Sequence, residues 1–159
     1  MRGATDSCAH AAIGGGSERA QLQQLRHLDA DLEMLERAQL LLEEAESAAR
    51  ARPREAFELS HRAALRIAGV LVARANRGRR RPLPLNAWRA LEMIGGAAAE
   101  RAREMTVLVR ERDRLDLDDR AQPDRDLLLH HLRSTRRHLE EVRAELIGDL
   151  PTSALALAG

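Results

Sequence analysis

Lysine and tyrosine are both missing from this 159-residue chain, and cysteine, phenylalanine and tryptophan occur once each. Cys8 alone can form neither an intramolecular disulfide nor a multi-cysteine metal site. With only Phe57 and Trp88 aromatic, few side chains are available for bases to stack on. The core therefore has to be built from Leu, Ala, Val, Ile and Met. That composition favours helices, because strands are enriched in β-branched and aromatic residues. No apolar run approaches the ~20 residues that span a bilayer. Residues 1–17 also lack the continuous apolar stretch of a signal peptide. The expectation is a cytoplasmic chain with no membrane partner. No glycine-rich loop follows a strand, which argues against P-loop or Rossmann nucleotide binding. No serine sits in a glycine-flanked elbow, and Cys8 lies in the presumed tail, so nucleophilic catalysis has little support.

What the chain does have is arginine. All 26 of its basic residues are Arg, and the formal net charge of +1 hides a strong segregation. Residues 29–46 hold seven carboxylates against Arg37, a formal −6, whereas residues 50–81 hold ten Arg against Glu55 and Glu58, a formal +8. Two readings follow. The segments pair as neighbouring helices and neutralise one another, or the basic one is an exposed surface for nucleic acid or nucleotide phosphates. The run Arg77, Arg79, Arg80, Arg81 is the part that packing is least able to neutralise, because Gly78, Pro82 and Pro84 make it a turn.

Helical spacing organises the rest into one domain. Residues 1–24, with Gly14–Gly16, read as a flexible tail, residues 25–148 as a helical bundle, and residues 149–159 as a frayed end. The first helix starts at about Ser17 or Leu25 and carries Leu25, Leu28, Leu32, Leu35 and Leu42, with Leu40 and Leu41 widening its apolar face toward two neighbours. Pro53 opens the second helix, since a first-turn proline lacks only an N–H that would be orphaned anyway. Phe57, His61, Ala64, Ala68, Leu71 and Ala75 form one stripe along it. Asn86 caps a short third helix that Gly95-Gly96 stops or kinks. A fourth helix runs from about Ala98 to Arg112 with Ala98, Ala102, Met105 and Val109 on one side. After Pro123 a last helix carries Leu128, Leu132, Thr135, Leu139, Val142 and Leu146. The predicted fold is all-α, an up-and-down four-helix bundle with one short extra helix.

Few of its polar residues make a recognisable chemical constellation. A di-iron bundle needs Glu-x-x-His on two helices, and only Glu58 and His61 provide it. His131 and His138 share a direction but stand about 10 Å apart along the helix, too far to share a metal. They lie beside the apolar stripe, where partial solvation is expected. No metal and no cofactor is predicted. Trp88, at a helix start, reads as a packing anchor.

The stretch Ala56-Phe57-Glu58-Leu59-Ser60-His61-Arg62-Ala63-Ala64-Leu65-Arg66-Ile67-Ala68, the basic turn, Asn86-Ala87-Trp88-Arg89-Ala90-Leu91 and the later Asp126-Leu127-Leu128-Leu129 resemble the small stand-alone HEPN domains of high-GC bacteria over roughly residues 30–147. The resemblance implies a HEPN-like bundle, often homodimeric. It also implies an RNA- or nucleotide-binding module of a bacterial stress or toxin–antitoxin type system. Arg77, Arg79, Arg80 and Arg81 are its candidate nucleic-acid contacts. A non-catalytic dimerisation or adaptor module with a partner protein is the alternative. A metal-independent ribonuclease is a further one, because many HEPN relatives use an Arg followed by a His after four to six intervening residues. In those enzymes the His moves protons at the ribose 2′-hydroxyl and the Arg holds the phosphate. Arg54 with His61 and Arg133 with His138 are the candidate catalytic pairs, and Arg125 stands at matching spacing from His130 and His131. None of them has the Arg-Asn start and small residue before His that mark the active enzymes.

Overall fold

A computed structural model describes the backbone of residues 9–150 and side chains from residue 15 onward. The described residues are all-helical, in five helices: α1 (Ala9–Ala48), α2 (Pro53–Arg77), α3 (Ala87–Ile94), α4 (Gly96–Asp116) and α5 (Arg125–Gly148). No helix among the described residues is long and apolar enough to cross a membrane.

The expected boundaries are met where local chemistry sets them. Pro53 stands in the first turn of α2. Asn86 caps α3, its Oδ1 accepting from Arg89 N at 3.0 Å, and Asp124 caps α5 by accepting from Leu127 N at 2.9 Å. At the α3–α4 corner Gly95 has φ 83° and Gly96 φ 55°, conformations that a side chain would strain.

α2 is the central helix. It packs on α1, α3, α4 and α5. Its expected stripe is buried at Phe57, His61, Ala64 and Ala68, but Ala56, Leu59, Ala63, Ile67 and Val70 are buried as well. Those residues face the neighbours that a single-stripe reading does not foresee. All six stripe residues of α5 are buried. Ala68, Leu91, Ala98 and Ala102 make a separate small cluster where α2, α3 and α4 meet. α4 touches α5 only sparingly.

Three expectations need correction. The predicted tail, residues 1–24, is helical from Ala9 onward, while residues 1–8 lie outside the described residues. Glycine in a helix costs only about 1 kcal/mol relative to Ala, and good helix formers from Ser17 to Leu28 carry α1 through. Residues 15–26 are exposed, Leu25 included, with Gln24 and Leu25 bordering a groove that Arg74, Leu146 and Asp149 also line. Leu40 is exposed rather than part of a wider apolar face. At the other end, Asp149 donates its backbone N–H to Glu145 O at 3.1 Å and pairs with Arg74, so it is anchored; residues 151–159 lie outside the described residues.

Candidate functional site

The cationic turn divides in two. Arg77 is still in α2, and its two Nη atoms donate to both carboxylate oxygens of Asp31 on α1 at 2.8 and 2.7 Å. Asp31 is only 5% exposed. Arg77 is therefore a structural partner for a buried carboxylate, contrary to the expectation that packing would leave it free. It is also the only ion pair among the described residues that joins segment 29–46 to segment 50–81. The two segments are neighbours, yet they scarcely pair with each other, and some of their charges pair outside: Glu46 holds Arg136, Arg112 holds Glu58, and Arg74 holds Asp149.

Arg79, Arg80 and Arg81 are all exposed, and none has an acidic partner among the described residues. The turn that carries them is tied at both ends by Asn76. Its carbonyl accepts from Arg79 N at 3.1 Å, and its Oδ1 accepts from Leu83 N at 2.9 Å. Leu83 is itself buried. Arg89, one turn into α3, is exposed as well. Asn76 is the residue that sequence reasoning missed here. Its signal was an Asn in the last turn of a helix, where the side chain can bond the following backbone.

The candidate catalytic pairs are not assembled. Arg54 Nη1 donates to the carbonyls of Asp118 and Ala121 at 2.7 and 3.0 Å, and Nη2 donates to Leu115 at 2.6 Å. The guanidinium closes the end of α4 and is spent there. His61 is 3% exposed, its ring edge-on to Trp88 at 6.0 Å and to His131 at 5.9 Å. Burial, reinforced by the nearby Arg112 charge, pushes its pKa down. Trp88 thus packs over His61, in keeping with its reading as an anchor.

Arg133 and His138 are five residues apart on α5, which turns them about 140° from each other. Arg133 is exposed in a shallow groove with Glu46 and Leu129. His138 instead lines a cavity between α4 and α5 with a volume of ≈ 540 Å³. It is 7% exposed, and His131 is fully buried, so the expectation that both are partly solvated fails. For His131 the reason is α2, whose Phe57 and His61 rings stand 5.0 and 5.9 Å from it, while His138 borders the groove between α4 and α5.

Around these two histidines runs a polar network that the sequence did not suggest. His131 Nδ1 lies 3.1 Å from Thr135 Oγ1, which accepts from Arg101 Nη2 at 3.2 Å. Arg101 Nη1 donates to Glu104 Oε2 at 3.0 Å, and Glu104 Oε1 accepts from Arg137 at 2.7 Å. Burial pushes the His131 pKa down to about 3, helped by His61 and Arg101. It pushes His138 down to about 4, with Arg101 again contributing. Burial alone would raise the Glu104 carboxyl, but the hydrogen bonds from Arg137 and Arg101 hold it below its usual range. Arg101 stands on the buried stripe Ala98, Arg101, Met105, Leu108 of α4. A charged residue at a core position was the available signal. Among the described residues no three His, Cys, Asp or Glu converge to hold a metal ion. No protein family, curated protein or solved structure matches the chain.

Proposed function

We propose that this chain is a HEPN-like up-and-down bundle, with α3 as its short extra helix, that holds RNA or a nucleotide by its phosphates without cutting it. One observation carries the reading: Arg79, Arg80 and Arg81 project from a tethered turn with no acidic partner among the described residues. Unpaired guanidiniums suit phosphate oxygens, and the tethered backbone of the turn leaves only their side chains to be ordered on binding. Arg89 extends the same basic surface onto α3. Catalysis lacks comparable support, because Arg54 is committed to three carbonyls and His61 is buried. A labelled single-stranded RNA should bind the wild type, and a variant with Arg79→Glu, Arg80→Glu and Arg81→Glu should lose that binding. These side chains are exposed, so the variant should keep its helical circular dichroism. Equal binding by the triple variant removes the proposal. The exposed stretch 15–26 of α1 favours a second reading, self-association through that helix, because a lone helical segment of this length is marginal in water.

A further inference from the structure

Residues 59–91 hold eight arginines and no aspartate or glutamate, the longest stretch of the chain without a carboxylate. Two of the eight are neutralised from outside the stretch, Arg74 by Asp149 and Arg77 by Asp31. The other six are Arg79, Arg80 and Arg81 of the turn, Arg89 of α3, and Arg62 and Arg66 of α2. None of these six has an acidic partner among the described residues. Arg66 donates only to Met34 Sδ, at 3.6 Å, and a thioether is a weak acceptor.

The two α2 arginines are placed in line with the turn. Arg62, Leu65, Gly69 and Ala73 are exposed and follow one another at steps of three and four, so they form one stripe along the helix. Arg66 is half-buried at its edge. The next step of the stripe is Asn76, the residue whose carbonyl and side chain tether the turn. The stripe therefore leads directly to Arg79, Arg80 and Arg81. At about 1.5 Å per residue it covers about 22 Å between Arg62 and the end of α2.

Its middle is open. A Cβ added at Gly69 would meet nothing within 4 Å, and Ala73 adds only a methyl group. A sugar–phosphate backbone can approach such a floor closely. Leu65, 37% exposed, offers an apolar surface beside the two arginines. The first carboxylate before Arg62 on α2 is Glu58, and both of its oxygens accept from Arg112. Nothing acidic on α2 interrupts the run from Arg62 to the turn. A mononucleotide held at the turn would leave this run unused, whereas a strand several nucleotides long meets an arginine at both ends of it.

We propose that the ligand of the cationic turn is an extended single strand of RNA, whose backbone continues from Arg79–Arg81 along α2 to Arg66 and Arg62. The inference rests on the reading of the turn as a phosphate contact and adds its ligand class: a strand rather than a mononucleotide. Contacts of this kind go to phosphates, so binding should tolerate many sequences. The test compares a uridine trinucleotide, long enough for the turn alone, with a uridine dodecamer. Arg62→Gln with Arg66→Gln removes two charges, keeps side chains of polar character, and should preserve the helical circular dichroism. This variant should bind the trinucleotide as the wild type does. It should bind the dodecamer about tenfold more weakly, with the slope of log affinity against log salt reduced by about 1.4, as two lost contacts to a single strand require. Arg103→Gln with Arg110→Gln removes the same charge from exposed positions of α4 and should leave both affinities unchanged. Arg62→Gln alone, at a fully solvent-facing position, should show about half the change in slope. A dodecamer bound equally by the wild type and the Arg62, Arg66 variant, or weakened as much by the α4 changes, would overturn the proposal and leave the turn as the phosphate contact. A wild type that binds neither probe would overturn both.

Discussion

Acidification from pH 7 to pH 5 should destabilise this bundle well before its carboxylates titrate. His61, His131 and His138 are buried and their pKa values are lowered, to about 3 for His131 and about 4 for His138. In the unfolded chain each returns to about 6.5. Below that value the unfolded state takes up protons that the folded state refuses, so stability falls as the pH drops. At pH 5, about 1.5 units below the unfolded pKa, each such histidine costs about 2 kcal/mol. His131 and His138 together cost about 4 kcal/mol, and His61 acts in the same direction. A domain of this size has about 5–15 kcal/mol in total, so the effect is large. Glu58, Glu104 and Glu111, held below their usual range, contribute a further loss only as the pH falls below about 4.5. The window between pH 6.5 and pH 5 therefore reports the histidines. Urea unfolding followed by far-ultraviolet circular dichroism at pH 7, 6 and 5 measures it. With a slope near 2 kcal/mol per molar urea, the midpoint should fall by about 2 M between pH 7 and pH 5. Replacing His131 with Gln should flatten that dependence. Coincident midpoints at pH 7 and pH 5 would refute the reasoning, because they would mean that the buried imidazoles protonate as easily folded as unfolded.

Arg54→Ala should lower stability by about 2–4 kcal/mol, since it strips three carbonyls at the end of α4 of a charged donor. RNA affinity should be unchanged at temperatures where the variant is folded, and a selective loss of RNA affinity would contradict the structural role. If α1 self-associates, sedimentation velocity should show a dimer that Leu22→Glu with Leu25→Glu returns to monomer. A wild-type monomer at every concentration would exclude that reading.

Legibility followed the range of the interactions. The α5 stripe could be read because its positions depend only on the 3.6-residue period, and the Asn86 cap because its bond spans three residues. The cationic turn was visible through its Gly and Pro. The loss of Arg77 to Asp31 was not, because it depends on how α1 and α2 align across 46 residues of sequence. Arg101 bonds a threonine 34 residues away, and nothing local to either residue signals that meeting. The burial of His131 and His138 was missed for a related reason: a helix's own periodicity shows which residues share a face, but not which neighbour covers it. The α4–α5 cavity is a product of such an arrangement, since α4 touches α5 only sparingly while bringing Arg101 and Glu104 to it.

The most direct test of the central claim is the salt dependence of RNA binding, read together with cleavage, for the wild type and for a variant with Arg79, Arg80 and Arg81 all changed to Ala. Three phosphate contacts to a single strand should contribute about 2 to the slope of log affinity against log salt. The account predicts that the variant binds more weakly, loses about that much slope, and that neither protein cuts the RNA. Equal affinities and slopes would contradict the claim that the turn is the phosphate contact. Cleavage that disappears in His61→Ala or His138→Ala would contradict the claim that the module holds RNA without cutting it.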